Sequence, residues 1–306
     1  MPVSRSWFPS FIALAAIWGA SFLFIKVAIE DLAPIYVAFG RCAIGAAFLL
    51  AAVAIRHELP PRDRTLLLHL VVSALLLNSM PFALFAYGEQ HASSVLAGIW
   101  NATTPLFAVV VAFFALHDER PTPSRLAGLL IGFLGVMVVL GPWHGLGGSA
   151  TAGQLMFAGA AACYGAGFVY TRRFITKDGT SDLALAAAQI TFGTLQLAVL
   201  LPFVAAPTLT LGAETIMSLL ALGALGSGVA YVLNFQIIRQ AGATTASTVT
   251  YLIPLFSTVL GVLVLSESVS WNQPIGALVV LGGIAIAQGR LRPRPVMGGS
   301  TRSGTG

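Results

Sequence analysis

The 306-residue sequence predicts an all-α integral membrane protein, with ten transmembrane helices arranged as two inverted five-helix repeats. Three observations lead there. Hydrophobic residues make up 57% of the chain and charged residues 9%, with a mean hydropathy of +0.87, which leaves too little polar surface for a soluble domain of this length. The apolar residues gather into ten runs, each near the ~20 residues that cross a bilayer. The landmarks of the first five runs recur in the second five.

In order, the runs are 8–29, 34–55, 66–88, 92–116, 124–141, 153–173, 182–203, 214–238, 243–265 and 272–289. The first follows a short head containing Arg5. It is too long for a secretory leader and has no small-residue cleavage site before Glu30 and Asp31, so it reads as a spanning helix. The chain divides into a cytoplasmic N-terminus (1–7), a first five-helix repeat (8–141), an external linker (142–152), a second repeat (153–289) and a basic cytoplasmic tail (290–306). That tail, rich in Gly, Ser, Pro and Arg, reads as disordered, with its arginines beside anionic headgroups.

Orientation follows from the basic residues, which stay on the cytoplasmic side. With the N-terminus inside, alternate loops carry Arg5; Arg56, Arg62 and Arg64; Arg120 and Arg125; Arg172, Arg173 and Lys177; Arg239; and Arg290, Arg292, Arg294 and Arg302. Only Lys26 and Arg41 of the sixteen Lys and Arg residues remain. The opposite loops 141–154 and 206–214 hold none, so both termini are expected in the cytoplasm and the chain in an inner (plasma) membrane. The basic balance is thereby explained by topology and gives no reason to expect nucleic acid as a partner. Cys42 and Cys163 fall inside predicted helices and read as small packing residues, which supports neither a disulfide framework nor a cysteine metal site.

The repetition is carried by particular residues. PLF at 105–107 recurs at 254–256, each after a small-residue stretch, ASSVLAG (92–98) and AGATTAS (241–247). Glu119 precedes Gly128 by nine positions, as Glu267 precedes Gly276. IWGASFLFIKV (17–27) aligns with CYGAGFVYTRR (163–173), which pairs Lys26 with Arg172; Arg41 pairs with Gln189. An odd number of helices per copy inverts the second copy in the membrane. Two opposed halves can exchange conformations and so alternate which side a central site faces, the architecture of secondary transporters.

With WGASFLFIK (18–26), FGRCAIGAAFLL (39–50), the proline of TPLFAVVVAFF (104–114) and the Glu-to-Gly spacing, all echoed in the second half, the chain resembles the EamA-type transporters of the drug/metabolite transporter superfamily over residues 8–289. One departure is visible: Pro105 and Glu119 are one residue further apart than Pro254 and Glu267. The resemblance implies a ten-helix carrier that exports amino acids or other metabolites, with a cavity lined mainly by helices 3, 4, 8 and 9 and by contributions from 1 and 6. Polar and aromatic residues at middle depth on those helices are the candidate substrate-binding set: Trp18, Asn78, Phe82, Trp100, Asn101, Tyr164, Tyr231, Asn234, Thr250 and Tyr251. For each one taken singly, ordinary helix packing is an equal alternative. Pro81, Pro105 and Pro254 interrupt these helices and free backbone carbonyls, which is tolerable beside a cavity.

Three polar residues stand apart as gate or structural groups. Lys26 lies ~27 Å along helix 1, near the outer headgroups. There it reads either as an interfacial anchor paired with Glu30 or Asp31 or as a gate at the external mouth. Arg41 is roughly 10 Å below the outer surface, where an unpaired charge costs on the order of 2 to 3 kcal/mol on insertion scales, so it is expected to face protein or water. Gln189 is its neutral counterpart, and interhelical hydrogen bonding and substrate contact both remain open for this pair.

Amide, hydroxyl and aromatic groups suit a small amphipathic substrate, with apolar or aromatic amino acids as the leading expectation and nucleobases, sugars or cationic compounds as alternatives. No Asp or Glu falls in the middle of a predicted helix, which leaves facilitated diffusion or proton coupling through groups such as His91 or Glu89. No cofactor or metal is expected. The five histidines are scattered, which argues against a membrane-embedded enzyme, and two inverted halves give no symmetric pore, which argues against a channel. Gly128, Gly132 and Gly135, with the similar GALVVLGG of 276–283, read as close helix contacts serving either the fold or a dimer, and the oligomeric state stays open.

Overall fold

The computed structural model describes residues 7–115, 123–141, 143, 148–175, 180–204, 211–241 and 248–287. The expected basic tail, the head with Arg5, and Arg120, Glu119 and Lys177 lie outside the described residues, as do the side chains of Arg125, Arg172 and Arg239.

The described chain is helical, without strands. Helices α1 (Trp7–Asp31), α2 (Pro34–Ile55), α3 (Arg64–Glu89) and α4 (Ser94–Ala115) are followed by α5 (Pro123–Leu140), α6 (Gly148–Phe174) and α7 (Asp182–Leu200). Then come α8 (213–241), α9 (Ile253–Leu265) and α10 (Asn272–Ala287). By length and composition, seven helices among the described residues can cross a membrane. Leu126–Leu140, Val249–Leu265 and Asn272–Ile286 are apolar but shorter. The expected runs 243–265 and 272–289 extend beyond the described residues at one end. Apolar side chains such as Phe114 (78% exposed) and Leu263 point outward, as lipid-facing residues do.

Residues 148–152, expected in the external linker, are instead the first turns of α6. Ala150, Ala152 and Gln154 are good helix formers, and modest hydropathy does not stop a helix from starting.

Several helices are interrupted. α3 contains a π-helical turn at Leu75–Ser79, just before Pro81, and α8 contains a longer one at Ala221–Val229. The extra residue in α3 alters the hydrogen-bond ladder ahead of the proline. Ser79 Oγ returns to the Ala74 carbonyl (3.2 Å), and Gln196 Nε2 from α7 donates to the Val71 carbonyl (2.8 Å). α4 breaks into Ser94–Asn101 and Thr104–Ala115, and α9 is preceded by a 3-10 turn, Thr248–Tyr251. Both interruptions precede a Pro-Leu-Phe sequence.

Packing relates the two halves of the chain. α1 lies on α8 and α9, while α6 lies on α3 and α4; α2 packs on α7, and α5 on α10. The contacts match residue by residue. A Cβ at Gly19 would fall 2.5 Å from Phe256 Cβ, and one at Gly165 would fall 2.8 Å from Phe107 Cβ, so each half's first helix is pressed against the other half's Pro-Leu-Phe segment. The expected glycine contact lies within the chain, between α5 and α10, where a Cβ at Gly135 would meet the Val280 backbone nitrogen at 2.6 Å.

Candidate functional site

Helix ends are closed by charged groups from distant elements. Lys26 Nζ donates to the backbone carbonyls of Glu89 and Ala92 (3.1 Å to Ala92), at the C-terminal end of α3, where the helix dipole favours a cation. It pairs with neither Glu30 nor Asp31. Asp31 instead accepts from Gly212 N (3.1 Å) and Thr215 Oγ1 (2.6 Å), closing the start of α8. Ser266, in the left-handed region at φ 54°, turns the chain after α9. Glu267 then accepts from the backbone nitrogens of Ser94 (2.8 Å) and Val95 (3.0 Å), at the positive end of α4. Glu89 is 0% exposed, and both its carboxylate oxygens are enclosed without a hydrogen-bond partner. Its position at a helix end concealed that enclosure; α6 packs Phe157 and Gly153 against the adjacent Gly88.

Deeper in, two polar constellations stand at corresponding places in the two halves. The first is a closed network. Gln189 Nε2 on α7 donates to Asn78 Oδ1 (2.8 Å), Asn78 Nδ2 donates to the Tyr231 hydroxyl (2.8 Å), and Ser73 Oγ donates to Gln189 Oε1 (3.0 Å) and lies 3.0 Å from Thr171 Oγ1. It joins α3, α6, α7 and α8. Ser73 and Thr171 are partners not singled out in the sequence; a small polar residue inside an apolar run is the trace they leave.

The second constellation surrounds Arg41, which is 7% exposed. Its Nε donates to Ser227 Oγ in the π turn of α8 (3.3 Å), and its Cζ lies 4.0 Å from the centroid of the Phe82 ring on α3. Trp18 Nε1 from α1 donates to the carbonyl of Gly226 (3.2 Å), the residue preceding Ser227. Tyr164, only half-buried, packs in the same cluster as Phe82 and Cys42. Arg41 is within electrostatic reach of Tyr164, Tyr231 and Glu89, but no described carboxylate pairs with it.

The structure therefore gathers Trp18, Arg41, Asn78, Phe82, Tyr164, Gln189 and Tyr231 around one region. Trp18, Tyr164 and Tyr251 also pack against the main core, which holds Trp100. Trp100 is 3% exposed within the main core, with its Nε1 donating to Gln154 Oε1 (3.2 Å). Asn101 and Thr250 are buried, and Asn234 and Tyr251 are half-buried. Cys42 is buried, Cys163 is half-buried, and both are free thiols. Among the described residues, no group of three His, Cys, Asp or Glu side chains could hold a metal ion.

A family model, described as the EamA-like transporter family, matches the chain twice, over residues 5–141 and 151–288. The chain belongs to that family. It is thus a membrane transporter of the drug/metabolite transporter superfamily, and family membership indicates a transporter rather than an enzyme. Relatives of this EamA-family chain include an uncharacterized transporter of Archaeoglobus fulgidus, 28% identical over 281 residues that cover 88% of this chain and 92% of the relative. Another is the uncharacterized inner membrane transporter YedA of Escherichia coli, 26% identical over 284 residues, covering 91% and 89%. One crystal structure shares the fold, with a TM-score of 0.66 at 20% identity, covering 94% of this chain and 99% of that one.

Proposed function

We propose that the protein is a secondary carrier that moves small metabolites, foremost apolar or aromatic amino acids, out of the cell across the inner membrane by alternating access. Its ten helices form two inverted five-helix repeats, with both termini in the cytoplasm. The observation that carries this reading is the buried polar and aromatic site around Arg41. Its walls come from both halves: Trp18, Asn78 and Phe82 from one, Tyr164, Ser227 and Tyr231 from the other. A site shared across a repeat interface can be exposed to either side as the halves rock. The twofold family match and the exchanged packing of α1 and α6 support the repeat arrangement, and the likeness to YedA, an inner membrane transporter, supports the membrane.

The test is counterflow. Proteoliposomes preloaded with unlabelled phenylalanine or leucine should accumulate the labelled amino acid transiently. Accumulation of a labelled nucleobase or sugar, but of no amino acid, would replace the substrate class, and flux without trans-stimulation would contradict a carrier. Topology has its own check: in a background lacking the native thiols, Ser149→Cys should react with an impermeant thiol reagent applied outside and Lys177→Cys should not. The reverse pattern would overturn the placement of the termini.

A further inference from the structure

Arg41 and Gln189 occupy matching positions on α2 and α7, and each is more than nine-tenths buried. The amide of Gln189 is engaged on both its oxygen and its nitrogen. A guanidinium presents five N–H donors, and the protein satisfies only the one on Nε, through Ser227. Neither Nη atom has a partner, yet neither is among the enclosed unpaired atoms of the described residues, which are those of Glu89, Thr104, Asn272 and Gln273. The Nη atoms are therefore unpaired without being sealed off, one of them beside Gly226, where an added Cβ would lie 3.6 Å from it. A permanent cation left this way inside a membrane protein is costly unless an anion or water reaches it.

We propose that the Arg41 guanidinium is the anchor for a carboxylate on the transported substrate, so that the carrier takes organic acids and amino acids through their carboxylate end. This rests on the carrier reading. The planar Nη edge suits a two-pronged contact with a carboxylate. Phe82 supports the guanidinium face and Ser227 fixes Nε, which leaves the Nη edge without a hydrogen-bond partner. Glu89 lies within electrostatic reach of Arg41, but neither of its oxygens accepts a hydrogen bond from it. No described carboxylate stands beside Arg41 to receive a substrate ammonium, so an amine should contribute far less to recognition than the acid does. The half-buried rings of Trp18 and Tyr164 are positioned to take an apolar or aromatic tail.

The experiment measures the affinity of the purified full-length protein for four probes of one shape, L-phenylalanine, L-phenylalaninamide, 3-phenylpropionate and phenethylamine, by ligand-dependent thermal shift, with chloride as the anion control. Phenylalanine and phenylpropionate should stabilise the protein, and the amide and amine should be at least about tenfold weaker, the range expected for losing a charge-assisted pair. Arg41→Gln should abolish the preference for the acids. Arg41→Lys, which keeps the charge and so guards against misfolding of the glutamine variant, should lower affinity for the acids while leaving their rank over the amide and amine. Equal stabilisation by phenylalanine and its amide, an unchanged acid preference in Arg41→Gln, or stabilisation by chloride equal to that by phenylpropionate would overturn the inference and leave the carrier reading intact. Stabilisation by none of the four probes would remove the amino-acid substrate class, and the anchor with it.

Discussion

Arg41 and Gln189 hold equivalent places in two halves of one fold, yet the protein treats them differently. Around Gln189 every polar group is answered: Ser73, Asn78, Tyr231 and Thr171 complete a chain across four helices. Around Arg41 the protein supplies one hydroxyl and one ring, then stops. A membrane interior penalises unanswered polar groups, so completeness marks a joint and incompleteness marks an opening. Within one core, Trp100 is sealed and hydrogen-bonded to Gln154, whereas Trp18 and Tyr164, packed against the same cluster, are only half-buried.

The sharpest break of this comparison is on its packed side. Trp100→Ala should cost about 3 to 5 kcal/mol and depress the melting temperature outright. A stable variant with lost transport would return Trp100 to the cavity wall. Gln189→Leu comes next. It strands Asn78 and Ser73, and should cost about 1 to 3 kcal/mol in denaturant titration while leaving the preference for acids in place. If stability held and that preference vanished, the two positions would have exchanged roles.

Smaller effects refine the frame. Glu267→Gln removes the charge at the start of α4, and a loss of about 1 to 2 kcal/mol is expected; an unchanged melting temperature would mean that Ser93, which already caps Leu96 N at 3.2 Å, is sufficient. Ser227→Ala should be the mildest. It loosens Arg41 Nε, and affinity for the acids should fall roughly two- to five-fold without a stability change, as a titration of binding would register.

What the sequence disclosed, and what it withheld, follows from range. Apolar runs near bilayer length disclose the helices, and the two Pro-Leu-Phe segments disclose the interruptions of α4 and α9, because these are local properties of composition and backbone. Pro81 hints at the π turn of α3, whereas the glycine-rich Ala221–Val229 carries no comparable mark. Arg41 stood out as a misfit, but its meeting with Ser227, 186 positions away, depends on how α2 packs against α8. Glu89 sits at a helix end in the sequence, and its full burial shows only in the fold, where Gly153 and Phe157 of α6 press on the neighbouring Gly88. Trp100 is the opposite case. An aromatic beside an amide resembles a binding wall in sequence, and its burial together with its bond to Gln154 assigns it to the core.

The central claim, that Arg41 stands open to the substrate's carboxylate, is tested most directly by site-resolved modification with phenylglyoxal, read at residue 41 by mass spectrometry. Arg41 should be modified in the purified carrier and should be protected by phenylalanine or phenylpropionate but not by phenylalaninamide. An Arg41 that stays unmodified without ligand, or that the acid and the amide protect equally, would contradict it.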